Sequence, residues 1–549
     1  MVYFWGKIPS IHSADFFACA ATGVKRLSPR SGKTVIAMIL GIAIGGMGIH
    51  GFAHAEDEKP AHISVEKAKL VTQYTNTAKT HEEQGGYTTA LALHRKVLAI
   101  REAVLGKGHL DTAMSYNNIA KIYASQGNYP EALAWYRRVL TIRERTLGKK
   151  HPDTASIYSS IAIMYEKQGA YPEALDWSKK ALVIREKALG VEHPGTAESY
   201  HGIGKIYDAQ GHYAEALALY RKALAIREEV LGKEHPDTAE SYNEIGELYY
   251  SQGDYPKALE WSLKALAIRE KMLGKKHPDT AQSYNNIGAM HHKLGAHPEA
   301  LEWYQKALAI REAVLGKEHP DTAESYYEIG RLYHSQGDYP KALEWNLKAL
   351  AIREKMLGKE HPDTAACYNN IAAIYERQGN YPEALAWYRK TLAIFEKMLG
   401  KEHPNTAVCY NNIAGIYGMQ GNYPEALAWY RKALAIFEKM LGKEHPDTAV
   451  GYNNIAWAYD MQGNYPEALA EYQKALTIWE KTLGKEHPFT TICYNNIGNM
   501  KKTWEKMEAS KQKPFARWLE ETLRLLMRLF EGAHMDWGKH SEPQQKQAQ

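Results

Sequence analysis

Apolar side chains recur with helical spacing in residues 113–154, and the pattern predicts two amphipathic helices. The pattern breaks at Gly127, a residue typical of helix ends, and Pro130 follows where a second helix would start. The apolar positions before this glycine follow the i, i+3, i+4, i+7 spacing of one helix face: Tyr116, Ile119, Ala120 and Tyr123. Those after it form a second stripe: Ala132, Leu133, Tyr136, Val139, Leu140 and Leu147. We therefore expect a helix A of ~15 residues and a helix B of ~19 residues, joined by a tight turn.

The same helix pair recurs along most of the chain at a constant interval of 42 residues. His-Pro-Asp-Thr or a close variant marks each repeat and begins at ten positions: His109, His151, His193, His235, His277, His319, His361, His403, His445 and His487. One helix pair cannot bury both of its stripes, whereas stacked pairs bury a continuous core. The constant interval predicts identical stacking throughout, with Asp153 or Thr154 capping the helix that follows the His-Pro loop.

These residues resemble the tetratricopeptide repeat. The family's consensus positions correspond here to Tyr116, Ile119, Ala120, Tyr123, Ala132, Tyr136 and Val139. The 42-residue form, with its LGKEHPDTA and YNNIA segments, is similar to the repeats of kinesin light chains and related bacterial proteins, and the resemblance covers about 71–505. It implies an all-α, right-handed superhelical solenoid of antiparallel helix pairs, with helices A on the concave face. The heptad segment that precedes the repeats of kinesin light chains is missing, so attachment to a motor is not implied.

The first 55 residues have the order of a bacterial secretory signal peptide behind an N-terminal extension. Lys25, Arg26, Arg30 and Lys33 precede an apolar run from Thr34 to about Ile49, and Ala53-His54-Ala55 forms an A-x-A cleavage pattern. We expect cleavage after Ala55 and export to the periplasm. The alternatives are an uncleaved inner-membrane anchor, which would be the chain's only membrane contact, and an internal apolar segment. Translation starting near Val24 would explain why residues 1–23 precede the signal.

The remaining chain divides according to how well each segment fits the repeat. The predicted divisions are a lead-in at 56–70, a degenerate first repeat that caps the array at 71–112, nine repeats at 113–490, a partial repeat with a C-terminal capping helix at 491–531, and a disordered tail at 532–549. The alternative for the amphipathic stretch 514–530 is a helix that seeks a partner or a membrane.

The second position after the tyrosine of YNNIA predicts a ligand groove. It resembles the asparagine ladder in the superhelix of O-linked N-acetylglucosamine transferase, and its asparagines here are Asn118, Asn286, Asn370, Asn412, Asn454 and Asn496. An asparagine amide both donates and accepts, so it can pair with any peptide backbone. We expect the main site in residues 365–500, where nearby groove positions, including Trp457, are apolar. Early repeats carry mixed charge, such as Lys205 and Glu247, which suits a solvated surface. The alternative is that Asn-Asn suits an exposed helix face and was copied by duplication.

Composition and spacing argue against several other classes of function. The net charge is +5, and residues 1–55 carry +4 of it, so the nearly neutral repeats do not suit nucleic-acid binding. The four cysteines form no CxxC pair, and histidines of successive loops lie too far apart to share a metal ion. An active site built from consensus positions would be copied ten times. We therefore expect no enzymatic activity, metal or cofactor.

One aromatic row needs a separate interpretation. Tryptophan follows Ala-Leu in helix B of seven repeats: Trp135, Trp177, Trp261, Trp303, Trp345, Trp387 and Trp429. We expect these rings to pack between repeats, with a carbohydrate or aromatic-ligand track as the alternative.

Together these observations predict an exported scaffold that binds a protein partner or an extended peptide in its concave groove. The alternatives are a structural, self-associating array and the regulatory subunit of an enzyme complex.

Overall fold

A computed structural model describes residues 64–534, and every regular element within them is an α-helix. The helices that open the repeats are α1 Val65–Glu83, α3 Leu110–Ser125, α5 Pro152–Lys167, α7 Pro194–Ala209, α9 Pro236–Ser251, α11 Pro278–Lys293, α13 Pro320–Gln336, α15 Pro362–Arg377, α17 Pro404–Met419, α19 Pro446–Met461 and α21 Pro488–His534. The helices that close them are α2 Tyr87–Leu105, α4 Tyr129–Thr146, α6 Tyr171–Leu189, α8 Tyr213–Val230, α10 Tyr255–Met272, α12 His297–Val314, α14 Tyr339–Met356, α16 Tyr381–Met398, α18 Tyr423–Met440 and α20 Tyr465–Thr482.

The predicted helix pairs are confirmed, because from α1 to α18 each helix packs against the next one, and α20 packs against α21. A standard helix A has 16 residues and a standard helix B has 18. The predicted N-terminal extension, the signal peptide, the lead-in as far as residue 63 and the tail from residue 535 lie outside the described residues.

The histidine of each His-Pro loop caps the following helix, so the expectation that Asp153 or Thr154 does so is wrong. His151 Nδ1 accepts a hydrogen bond from the backbone N–H of Asp153 at 3.1 Å. Thr154 instead donates its hydroxyl to the Gly148 carbonyl at 2.9 Å and closes the loop. Because Nδ1 accepts, the ring nitrogen that can donate is Nε2. Every loop therefore presents one N–H donor away from the helix that it caps.

Small side chains allow the two helices of a repeat to approach closely. Ala120 and Ala132 are fully buried where α3 meets α4, and the ring of Tyr136 is buried beside them. Gly204 shows how tight the contact is, because a Cβ at this position would lie 2.7 Å from the Tyr220 ring. These positions explain why the consensus alternates alanine or glycine with tyrosine.

The tryptophan row packs on the tyrosine that begins the consensus, as the Trp177 ring on Tyr158 illustrates at 5.2 Å between centroids. Tyr158 donates its hydroxyl to Glu144 of the preceding repeat at 2.7 Å. The Lys180 ammonium lies 4.8 Å from the Trp177 ring centroid. The aromatic pair therefore joins one repeat to the one before it, and the tryptophan remains half-buried under a cation.

The array coils back on itself within the compact unit that ends at Gly451. His361 Nε2 donates to the Ser125 carbonyl at 3.1 Å, although 236 residues separate them along the chain. The interval corresponds to about 5.6 repeats of 42 residues. Apolar side chains reinforce this contact, since Tyr171 and Ile206 share a buried cluster with Phe437. One turn of the coil thus rests directly on the next.

A second compact unit starts at Tyr452 and ends with the long helix α21. Its 47 residues continue the last helix A without a break. Side chains of the amphipathic stretch, including Phe515, Trp518 and Leu523, are exposed. The predicted C-terminal cap implies that these side chains are buried on the last repeat. Such burial is not seen among the described residues. None of the helices in residues 64–534 is sufficiently long and apolar to cross a membrane.

Candidate functional site

The helices A lie on the inside of the curve. In four places within the first unit a helix A packs directly on the next helix A: α5 on α7, α7 on α9, α11 on α13, and α13 on α15. Side chains from neighbouring helices A also meet, as His201 and Glu244 do at 3.3 Å. The positions that follow the consensus tyrosine therefore face the inner surface, where the sequence predicts the groove.

Amides of successive repeats pair with one another on this surface. Asn412 Nδ2 donates to Asn369 Oδ1 of the preceding repeat at 2.9 Å. Asn286 Nδ2 donates to both Asn243 Oδ1 at 3.0 Å and Glu247 Oε1 at 3.1 Å. No pattern in the sequence indicates this pairing, which uses one N–H of Asn412 but both N–H groups of Asn286. Asn118 is partly exposed and makes no side-chain hydrogen bond with any described residue.

Asn370 differs from the other members of the row because it is buried, with 2% of its surface exposed. Its Nδ2 donates to Asn346 Oδ1 at 3.0 Å, whereas its own Oδ1 is buried without a hydrogen-bond partner. The neighbouring groove positions Ala366 and Ala373 are buried as well. The apolar wall expected around Asn370 is therefore packed inside the repeats, where a ligand could reach it only after a rearrangement.

The second unit holds the other predicted groove residues. Asn496 Nδ2 donates to Asn453 Oδ1 at 3.4 Å, which continues the cross-repeat pattern. Asn454 is buried, and Trp457 is partly exposed three residues further along α19. These contacts do not test whether Asn454, Asn496 and Trp457 bind a ligand, so their binding roles stay predictions.

A buried ion cluster occupies the inner surface of the early repeats, where a solvated surface was expected. Lys205 Nζ donates to Glu244 Oε1 at 2.8 Å, and Glu244 is only 5% exposed. Although burial opposes its ionisation, the Lys205 ammonium and the His201 ring hold the pKa of Glu244 below its usual value. Burial, followed by the charges of Glu244 and Glu247, raises the pKa of Asp208 to about 8. The inner surface is thus too confined to solvate these charges fully.

In later repeats, buried charged side chains of helices A also have hydrogen-bond partners. Arg331 Nη1 donates to Glu328 at 3.1 Å, and both side chains are buried. Tyr388 donates its hydroxyl to Glu376 at 2.7 Å, and burial raises the pKa of Glu376.

In the described part of the chain, no group of three or more histidine, cysteine, aspartate or glutamate side chains could hold a metal ion.

The repeats identify the family of the chain. Ten overlapping segments match the family described as "Tetratricopeptide repeat": residues 71–145, 114–182, 153–229, 213–271, 237–313, 279–355, 337–397, 363–439, 410–478 and 461–512. The chain belongs to the tetratricopeptide repeat family.

Solved structures with similar repeats include two kinesin-light-chain-like proteins. A kinesin light chain of Podosopora anserina with nearly identical TPR-like repeats is 30% identical over 38% of this chain and 98% of its own, with a TM-score of 0.32. BtubC (BKLC) from P. vanneervenii is 23% identical over 46% and 94%, with a TM-score of 0.33. A Rap protein complexed with competence and sporulation factor is 16% identical over 76% and 99%, with a TM-score of 0.44. A comparison with curated proteins found no match.

Proposed function

We propose that this protein is a non-enzymatic scaffold that binds an extended segment of a partner protein along the inner surface of its helices A. The row of inner-surface amides is the observation that supports this function most directly. One amide recurs per repeat at Asn370, Asn412, Asn454 and Asn496, and most of the row is held by contacts between repeats. An extended peptide also repeats its N–H and C=O groups regularly, so a regular row of amides matches a backbone rather than one side chain.

The cross-repeat hydrogen bonds suggest different roles for members of the row. Asn412 donates one N–H to Asn369, and this hydrogen bond fixes the plane of the amide. Its second N–H is then available to donate to a peptide carbonyl. Asn286 donates both of its N–H groups to Asn243 and Glu247, and Asn370 is buried. We therefore assign ligand contact to Asn118 and Asn412 in the unit that ends at Gly451, and to Asn496 and Trp457 within the second unit. We assign Asn286, Asn370 and the buried Asn454 to holding the inner surface in shape.

The affinity expected from such a surface is moderate. Each amide–backbone hydrogen bond contributes about 1 kcal/mol net. A few of them, together with apolar contacts along the groove and less the cost of ordering the peptide, correspond to about 4–8 kcal/mol, which is a dissociation constant between about millimolar and micromolar. This strength suits a scaffold that exchanges partners.

The test uses a peptide selected from a random displayed library against the full chain. Its binding is then measured by fluorescence anisotropy to two variants, Asn412→Ala in the unit that ends at Gly451 and Asn496→Ala in the second unit. We expect the variant of the unit that holds the peptide to bind about fivefold more weakly, since one contact of ~1 kcal/mol is lost. A matched control carries Asn380→Ala and Asn464→Ala, which are exposed residues of A–B turns in the same repeats. Equal loss in the control, or no loss in either groove variant, would reject the groove.

We also propose that the protein is exported and processed after Ala55. The basic segment, the apolar run and the A-x-A pattern of the first 55 residues support this proposal. Mass spectrometry of the N-terminal peptide of the protein from fractionated cells provides the test. A mature chain beginning at Glu56 is expected, whereas a periplasmic chain that still carries Lys33 would contradict cleavage there.

A further inference from the structure

We propose that copies of this chain stack head to tail, through the same contact by which one turn of its own coil rests on the next. The proposal goes beyond peptide binding, because the residues involved lie at the two edges of the coil and not on the inner surface. The partner is a second copy of this chain. The argument rests on a contact that the chain already makes with itself four times.

In each of these inter-turn contacts, a His-Pro loop sits on an A–B turn about 236 residues earlier. The histidine Nε2 donates to a backbone carbonyl: His319 to Glu83 at 3.0 Å, His361 to Ser125 at 3.1 Å and His403 to Lys167 at 3.2 Å, while His445 donates to Ala209. The acceptor is a backbone group, so the side chains of the lower turn can vary without loss of the bond. Any A–B turn of this shape can therefore accept any His-Pro loop.

The proline after each histidine requires a glycine opposite it. A Cβ on Gly127 would lie 2.5 Å from Pro362 Cδ, and one on Gly85 would lie 2.7 Å from Pro320 Cδ. A side chain larger than hydrogen would thus separate the two turns. The glycine at this position also has a positive φ, 69° at Gly127, which other residues adopt at a cost. The glycine therefore has two roles: it adopts the positive φ of the A–B turn, and it leaves room for the His-Pro loop above it.

Four other His-Pro loops are exposed at one edge of the coil. We name this edge the histidine rim, and it consists of His151, His193, His235 and His277, each with its following proline. The side chain of His235 is 40% exposed, whereas that of the inter-turn His361 is 8% exposed. Their sequences match those of the loops that make inter-turn contacts, as HPDT at 235–238 and 361–364 shows. Among residues 64–534, no A–B turn receives the donor and the proline that this rim presents.

The complementary edge, which we name the glycine rim, consists of Gly337, Gly379 and Gly421. All three are exposed, and a Cβ on any of them would meet no described atom within 4 Å. Their counterparts in the covered turns, Gly85, Gly127 and Gly169, are buried or packed against proline. They keep the same positive φ, 76° at Gly379, so the turn retains the shape that accepts a His-Pro loop.

The two rims of one molecule differ, so a contact between copies joins the histidine rim of one to the glycine rim of another. Such a contact is heterologous and does not close on itself unless its rotation brings the ends together. Each added copy exposes the same two rims again. The geometry therefore predicts linear stacks whose mass rises in steps of one 62.0 kDa chain.

The first experiment blocks one rim at a time in the full chain. Pro152→Glu, Pro194→Glu, Pro236→Glu and Pro278→Glu together place carboxylates opposite the backbone carbonyls of an incoming copy. Glutamate is favourable in the first turn of a helix, so these helices should still form. Gly337→Asn, Gly379→Asn and Gly421→Asn block the other rim with a residue that tolerates positive φ. Sedimentation velocity from about 1 to 100 µM measures the mass, a range that covers moderate affinities.

We expect the wild type to form concentration-dependent stacks and each blocked variant to associate at least about tenfold more weakly. An equimolar mixture of the two variants keeps one intact pair of rims, so it should form dimers and nothing larger. A control with Pro362→Glu, at a contact within the molecule, should lower thermal stability while leaving both rims intact. A monomeric wild type throughout the range, stacks that persist in the blocked variants, or a mixture that grows beyond dimers would each overturn the proposal.

Discussion

Replacing His361 with alanine removes two hydrogen bonds, one within its repeat and one across the turns of the coil. The first is the N–H of Asp363 donating to Nδ1 at 3.0 Å, and the second is Nε2 donating to the Ser125 carbonyl at 3.1 Å. His235 makes only the first kind, with Asp237 at 3.1 Å. In the monomer, His235→Ala is therefore the matched control, since it costs the helix cap alone.

The magnitudes follow from these contacts. Loss of a helix cap costs about 1 kcal/mol, and loss of the inter-turn hydrogen bond costs about 1 kcal/mol more, with Ser125 left holding an unsatisfied carbonyl. We expect His361→Ala to destabilise its loop by ~2 kcal/mol and His235→Ala by ~1 kcal/mol. A local opening that becomes easier by 1 kcal/mol exchanges its amide hydrogens about fivefold faster.

Hydrogen exchange read by mass spectrometry distinguishes the two variants, because it locates the effect. His361→Ala should speed exchange in its own loop and also at residues 124–130, which lie one turn away. His235→Ala should speed exchange only near 233–239. If residues 124–130 exchange at the wild-type rate in the His361→Ala protein, the turns do not rest on each other through this histidine.

Three further predictions concern packing and charge. Gly204→Ala should lower the free energy of unfolding by about 1–3 kcal/mol, because its Cβ would lie 2.7 Å from the Tyr220 ring; Gly202→Ala, which meets nothing within 4 Å, should raise it by about 0.5–1 kcal/mol, and urea titrations would distinguish the two. The pKa of Asp208 is raised from 3.8 to about 8, so its contribution to stability is lost as the pH rises between those values. Asp208→Asn should therefore gain stability relative to the wild type at pH 9 but not at pH 4, and an equal difference at both pH values would contradict this. Burial lowers the pKa of His403 from 6.5 to about 4, so its contact is at full strength above pH 6.5 and weakens as the pH falls toward 4. Hydrogen exchange at residues 165–170, corrected for intrinsic rates, should be faster at pH 5 than at pH 7, and unchanged protection would contradict this.

The repeat register and the helix pairs could be predicted because their signals are local. Glycine and proline mark the ends of the helices, and the apolar spacing within each repeat defines the two faces. The capping role of the loop histidine was missed because aspartate and threonine, the more usual caps, come shortly after it, behind the proline. Here the histidine ring reaches the backbone N–H two residues on, while the threonine turns back to the loop carbonyl.

The contact between turns could not be predicted from any single repeat. The same HPDT segment is covered at His361 and uncovered at His235, so the difference depends on how small rotations accumulate over several repeats. The burial of Asn370 and Glu244 has a similar origin, because it depends on how closely the helices A converge at the inner surface. Sequence places these residues on the correct face but does not give the width of the surface.

Photo-crosslinking of a selected peptide tests the central claim most directly. The peptide would carry a diazirine side chain at successive positions, and mass spectrometry would locate the adducts on the full chain. The account predicts adducts on the inner positions of helices A, with Asn412 among the nearest residues where the first unit holds the peptide and Trp457 where the second unit does. Adducts confined to helices B, to the exposed face of α21 or to the His-Pro loops would contradict it.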